Sequence, residues 1–227
     1  MTTTIKTFSK MLYAFVLFAG LIMTSCETAD PVDDSKDPEN SENTETPDNI
    51  IVFADEVVKK SCVEAFDTDG DGEVSYDEAA AVSDLSNVTL RFKDDFISFD
   101  EFQYFTNVKV IPMKFFSNCK LMKSIKLPES LRSIEKWGFS KCANLTEIVL
   151  PQNVENIGDY VFNGCTSLTK VYSKSLTPPY APNYYDGGMF PQSTNLEHIY
   201  VPIESVELYK KSSGWEMSAE KIIGYYF

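Results

Sequence analysis

Histidine is almost missing from this chain: His198 is the only one in 227 residues. That excludes a metal centre built on several imidazoles and leaves a histidine-based catalytic triad without support. Basic residues are outnumbered, 20 against 34 acids, for a net charge of −14. A nucleic-acid partner needs a basic patch to meet its phosphates, and none is visible, so none is expected. A helical membrane span needs about 20 apolar residues, whereas the apolar run Met11–Met23 has 13. There is no glycine-rich phosphate loop, no Cys-His pair and no Ser-His-Asp set at a supporting spacing, so an enzyme is not expected.

What the chain does have is unevenly distributed charge. Residues 27–49 hold nine acids and one lysine, and residues 67–78 hold six acids and no base. These two stretches account for the whole net charge, so the remainder is nearly neutral. Ahead of them, Lys6 and Lys10 precede the uncharged Met11–Met23 run, the pattern of a signal peptide. It ends Met23-Thr24-Ser25-Cys26. Small residues followed by cysteine there resemble a bacterial lipobox, which implies lipidation of Cys26 and a membrane attachment through that anchor. Residues 27–49 have no large apolar side chain beyond Val32, too little to offset the entropy of ordering, and read as an acidic tether.

Asp67-Thr68-Asp69-Gly70-Asp71-Gly72-Glu73-Val74-Ser75-Tyr76-Asp77-Glu78 matches the EF-hand loop position by position. Asp67, Asp69 and Asp71 supply oxygens at positions 1, 3 and 5, and Gly72 permits the sharp turn at position 6. Glu73 offers its backbone carbonyl, Ser75 a ninth-position ligand, and Glu78 the closing carboxylate. Calcium takes six to eight oxygens at about 2.3–2.6 Å, so it is the cofactor expected. The alternative is a solvated acidic turn. Asp55–Phe66 places Val58, Cys62, Ala65 and Phe66 on one helical face, and Tyr76–Leu85 reads as a second helix. No second such loop is present, which points to a structural role for the ion.

From Phe99 the sequence repeats every 23 residues. Phe99-x-x-Phe102-x-Tyr104 aligns with Met122-x-x-Ile125-x-Leu127, Leu145-x-x-Ile148-x-Leu150 and Leu168-x-x-Val171, and Leu196-x-x-Ile199-x-Val201 follows after five extra residues. The columns Ile111, Ile134, Ile157; Phe116, Phe139, Phe162; and Cys119, Cys142, Cys165 keep the same spacing, with Phe190 and Ser193 continuing the last two. One such coil cannot bury enough to fold alone, but a stack can. The cysteine column follows the repeat, so these thiols read as small buried side chains rather than a disulfide framework.

L-x-x-L-x-L-x-x-N is the leucine-rich-repeat pattern. The form Phe-x-x-Cys-x-x-Leu followed by Ile-x-Leu-Pro resembles the BspA-like leucine-rich-repeat proteins over about residues 50–227. The fold expected is α+β: a short solenoid of about five coils with a 23-residue period, capped N-terminally by a helix–calcium loop–helix module. The expected division is 1–25 signal peptide, 26–49 tether, 50–90 calcium module, 91–204 repeats and 205–227 a C-terminal cap of one helix and a final strand.

The positions flanking each strand's Ile and Leu should line the concave side: Glu101, Gln103, Ser124, Lys126, Glu147, Val149, Lys170, Tyr172, His198 and Tyr200. Lys126, Val149, Tyr172 and Tyr200, with Tyr184 and Tyr185 from the Ser175–Met189 insertion, are the candidate partner-binding residues. Tyrosines suit protein or sugar contacts; packing against the C-terminal cap is the alternative. The resemblance implies a cell-surface protein of a family implicated in adhesion and does not transfer a partner; with the Cys26 anchor and the tether, the expectation is a lipid-anchored monomer of the outer membrane or cell surface that binds a host or envelope protein or glycan. An accessory subunit of a surface complex, such as one for glycan capture, is the competing expectation.

Overall fold

The computed structural model describes residues 49–88, 95–182 and 189–227, all within one unit, Thr44–Phe227. Cys26, Tyr184 and Tyr185 lie outside the described residues. The first helix is α1 (Glu56–Phe66), with Asp55 as its N-cap accepting from Val57 N and Val58 N. A capping carboxylate satisfies amides that the first turn leaves open. Val58, Ser61, Cys62 and Phe66 are its buried residues; Ala65, expected on that face, is exposed, and Ser61 takes the inner position instead.

Helix α2 (Tyr76–Ala81) is shorter than the expected Tyr76–Leu85. It stops at Val82, which is extended. The physical reason is local: a β-branched valine precedes Ser83 and Asp84, and the Asp84 side chain takes the Ser86 amide at 2.8 Å, a turn that competes with helix. The intervening loop buries Val74 and ties it to the preceding segment, with Ile51 N donating to Val74 O and Tyr76 N to Asn49 O, both at 2.9 Å.

The repeats then wind as a solenoid of short parallel strands: β1 (Ser98–Phe99), β2 (Val110–Ile111), β3 (Ser124–Ile125), β4 (Ser133–Ile134), β5 (Glu147–Leu150), β6 (Asn156–Ile157), β7 (Lys170–Ser173) and β8 (His198–Pro202). After β8 come α3 (Val206–Lys211) and β9 (Ile222–Tyr225). The sheets run β1-β3, β2-β4-β6 and β5-β7-β8-β9, each of these pairings parallel. Ile111 pairs with Ile134 and Ile134 with Ile157, and Val171 pairs with Ile199 across the insertion. The expected columns are therefore the register of the sheets.

Inside, the phenylalanine column forms a stack. Phe116–Phe139, Phe139–Phe162 and Phe162–Phe190 have ring centroids 5.2, 5.9 and 5.5 Å apart and planes within 11°. Beside it, Cys142 Sγ donates to Phe116 O and Cys165 Sγ to Phe139 O, each at 3.1 Å. Ser193 Oγ makes the same bond to Phe162 O at 2.6 Å. The repeat thus needs a small donor at this position, and thiol or hydroxyl serves. Burial pushes the Cys62 and Cys142 thiols well above their ordinary range. Cys62, Cys119, Cys142 and Cys165 are all buried, so in the folded chain they should resist a maleimide and react only in denaturant. Peptide mass mapping after a short pulse checks this, and native labelling of Cys142 would contradict it.

The first copy departs from the expected register. Phe99 pairs with Ile125, so β1 lies three residues earlier than the repeat alignment places it. Asp100–Tyr104 is a 3-10 helix, which turns Glu101 inward instead of onto the concave face. The cause is in the spacing: Phe99, Phe102 and Phe105 recur every three residues, the pitch of a 3-10 turn. All three are buried, and Phe53 and Phe66 from the N-terminal segment close on them, Phe53–Phe99 at 6.5 Å and Phe66–Phe105 at 5.1 Å. Glu101 Oε1 accepts from Ala54 N at 2.9 Å, while its buried Oε2 has no protein partner.

At the other end α3 and β9 follow the stack. Tyr209 is buried, sharing a 2.9 Å hydrogen bond with Ser173 Oγ and donating to Ser175 O at 2.8 Å. Trp215 Nε1 donates to Pro179 O at 2.8 Å. Gly214 is required between them: at φ +80° its Cβ would sit 2.7 Å from Ala181.

Candidate functional site

Two places carry the expected site residues. The first is the acidic loop between α1 and α2. Gly70 and Gly72 adopt left-handed backbone, φ +81° and +88°, which lets the loop fold back on itself. Asp67 accepts from Gly70 N (2.6 Å) and Gly72 N (3.0 Å), Asp69 from Asp71 N (3.1 Å), and Asp71 from Glu73 N (2.8 Å). These bonds gather one carboxylate oxygen from each of Asp67, Asp69 and Asp71 to within 4.8 Å of one another. Two oxygens bound to one calcium at about 2.3–2.6 Å are at most about 5 Å apart, so the spacing fits that ion.

Glu78 is not brought into this group. Its Oε1 accepts from Thr68 N (2.6 Å) and Thr68 Oγ1 (2.8 Å), and its Oε2 from Ser75 N (2.9 Å) and Ser75 Oγ (3.0 Å). The Ser75 amide first, then the Thr68 amide, hold its carboxyl down to about 2. Ser75 in turn caps α2, completing a capping box with Glu78. The Glu73 side chain turns to Lys59 Nζ, 2.8 Å away, leaving only its carbonyl for the loop.

The second place is the outer face of β5-β7-β8-β9. Residues alternate along a strand, so a residue facing out is followed by one facing in. The register sets Val149, Tyr172, Tyr200 and Ile223 side by side in one row across four strands. A parallel row, Glu147, Lys170 and His198, runs beside it. Tyr172 and Tyr200 stack with centroids 4.6 Å apart and planes 11° off parallel. Tyr225 meets both edge-on, at 5.8 and 5.4 Å. Burial raises the Tyr172 phenol above its ordinary value, so it is a neutral hydrogen-bonding group in water. Lys126 and Lys174 reach carboxylates, Asp100 at 3.9 Å and Glu129 at 3.2 Å. Between them a hollow of about 240 Å³ is lined by Gln103, Lys126, Glu129, Val149 and Lys174. Chemically the surface is apolar, phenolic and charge-balanced.

The sequence profile of the BspA type leucine rich repeat region matches residues 91–213, more than half of the chain, in six copies. The chain belongs to that family. No curated protein matches the BspA-type chain. Among solved structures it is similar to a leucine rich cell surface protein from Faecalibacterium prausnitzii A2-165, at 20% identity and TM-score 0.31 over 48% of this chain and 40% of that one. It is also similar to a leucine-rich repeat protein from Bacteroides ovatus ATCC 8483, at 21% identity and TM-score 0.39 over 61% of this chain and 38% of that one. The chain thus spans about 40% of the length of those proteins.

The BspA-type register brings Val149, Tyr172 and Tyr200 together as expected, with Lys126 one coil away. It also adds Ile223 and Tyr225, which lie beyond the repeat columns and were not expected there. The alternating Ile222-Ile223-Gly224-Tyr225 pattern was the available signal.

Proposed function

We propose that the chain is a lipid-anchored cell-surface binding module whose contact surface is the tyrosine face of β5-β7-β8-β9, with the acidic loop as a structural calcium site. The observation that carries the binding reading is the Val149–Tyr172–Tyr200–Ile223 row with Tyr225 across it. Val149, Ile223 and Tyr225 are 38, 37 and 44% exposed, an apolar row that water does not favour. Tyrosine offers large contact area at low entropic cost, with a hydroxyl to orient the partner. The charge balance beside the row favours a neutral polar surface over a polyanion.

In this reading Cys26 carries the lipid and residues 26–49 are the tether that joins it to the solenoid. The family's association with adhesion supports a host protein or glycan as the partner. Asp67, Asp69, Asp71 and the Glu73 carbonyl would hold calcium, joined by Glu78 once its bonds to Thr68 and Ser75 are exchanged for the ion. The bound ion would offset the repulsion of the clustered carboxylates and fix the helix–loop–helix that packs on the first coil.

The test is retention of host matrix, mucin and bacterial-envelope extracts on the immobilised full chain in calcium. Specific retention of a host component supports adhesion. Retention of an envelope protein alone would replace it with the accessory-subunit reading.

A further inference from the structure

A second cluster lies after the strands of the other sheet, beyond β4 and β6. Lys114, Trp137 and Tyr160 recur at the repeat spacing, each with left-handed backbone (φ 63°, 60° and 57°). The turn is common to the coils, but what fills it changes. Trp137 and Tyr160 stack, centroids 6.2 Å apart and 16° off parallel. Lys114 Nζ lies 4.7 Å and Lys136 Nζ 4.6 Å from the Trp137 ring centroid.

Among the described residues the donors here outnumber the acceptors. Among the described residues Lys114 forms no ion pair, and the partly exposed Trp137 indole N–H has no hydrogen-bond partner. The nearby acids are already engaged: Asp159 with Lys136 at 3.7 Å, Glu155 with Arg132, and Glu135 with the Met113 amide at 2.9 Å. A hollow of about 360 Å³ adjoins, lined by Met113, Ser133, Lys136, Asn156, Tyr180 and Pro182. The β6 edge is not open to an extended peptide, because Tyr180 closes it: Ile157 N donates to Tyr180 O and Tyr180 N to Glu155 O, both at 2.8 Å.

We propose that Trp137, Lys114 and Lys136 form a binding site for an acidic sugar, a pyranose bearing a carboxylate or sulfate. The anionic group would sit against the Lys114 ammonium and the indole N–H, with the Lys136 ammonium shared between it and Asp159, as charge-assisted hydrogen bonds require. The ring would lie in the hollow, its apolar side against Met113 and Tyr180 and its hydroxyls toward Ser133 and Asn156. The site is independent of the tyrosine face and does not rest on its function.

The chain has two tryptophans, so its ¹⁵N spectrum has two indole N–H resonances. That of Trp215 is buried and bonded to Pro179 O. The full ¹⁵N-labelled chain is titrated with glucuronic acid, N-acetylglucosamine 6-sulfate, glucose and a hexaglutamate peptide, with Trp137→Phe assigning the peaks. The Trp137 resonance should shift and saturate with one or both acidic sugars at a concentration on the order of 1 mM. Trp215 and the glucose titration should stay flat, and Lys114→Gln should weaken the response by roughly threefold or more. Which acidic sugar binds more tightly decides between carboxylate and sulfate. An unmoved Trp137 resonance, an equal response to glucose, an unaltered Lys114→Gln titration, or tighter binding of hexaglutamate would each overturn the proposal.

Discussion

Replacing Phe139 by alanine is expected to destabilise the folded chain by about 3–5 kcal/mol, the range for emptying a fully buried phenylalanine site. Phe139 is 0% exposed and is held between Phe116 and Phe162, which stack on its two sides. A solenoid coil touches only its neighbours, so its stability is a sum of nearest-neighbour terms. Loss of the middle ring removes two of those terms at once. Phe190 stacks on Phe162 and is 9% exposed, so Phe190→Ala should cost distinctly less. Equilibrium unfolding in guanidinium chloride compares the two. A Phe139→Ala cost no larger than that of Phe190→Ala would remove the ring stack from the account of stability.

The second large effect is expected from calcium. If the ion binds the loop about a hundredfold more tightly than its ambient concentration, it stabilises the folded chain by about 2.7 kcal/mol. For a unit of this size that is a rise in Tm of roughly 5–10 °C. The Asp67, Asp69 and Asp71 oxygens stand within 4.8 Å of one another, so charge repulsion among them is what the ion would relieve. Asp67→Ala should abolish the response, since Asp67 also anchors Gly70 N and Gly72 N. Thermal unfolding with and without a calcium chelator measures this. Equal Tm values in calcium and chelator would contradict the calcium reading and leave the loop a solvated turn fixed by its own hydrogen bonds.

How far the fold was readable in the sequence depended on repetition. Ile111, Ile134 and Ile157 recur at one spacing because each coil must present the same side chain to the same place, and the sheet register follows that spacing. The first coil broke the rule because Phe99-x-x-Phe102 satisfies the repeat pattern and the 3-10 pitch equally. Burial of Phe105 as a third ring against Phe66 decides between them, and that contact joins residues far apart in the chain. The three aspartates of the loop were readable because their spacing is local. The turn of Glu78 toward Thr68 and Ser75 was not, since the same carboxylate suits a helix cap or an ion. On the tyrosine face, Val149, Tyr172 and Tyr200 came from the repeat columns. Ile223 and Tyr225 arrive through β9, whose place beside β8 is a tertiary fact that no repeat announces. Trp137 and Tyr160 do fall in one column with Lys114, but an aromatic pair at a variable position has no meaning until the turn geometry sets their rings face to face.

In the proposed function the tyrosine face makes the contact. The decisive measurement is the dissociation constant of the retained surface component for the chain and for a Tyr172→Ala/Tyr200→Ala variant, with circular dichroism establishing that the variant is folded. Two tyrosines at the middle of an interface act as anchors worth about 2 kcal/mol or more together. Binding weakened by about thirtyfold is the expected result. An unchanged dissociation constant in a folded variant would contradict it and move the contact away from this face.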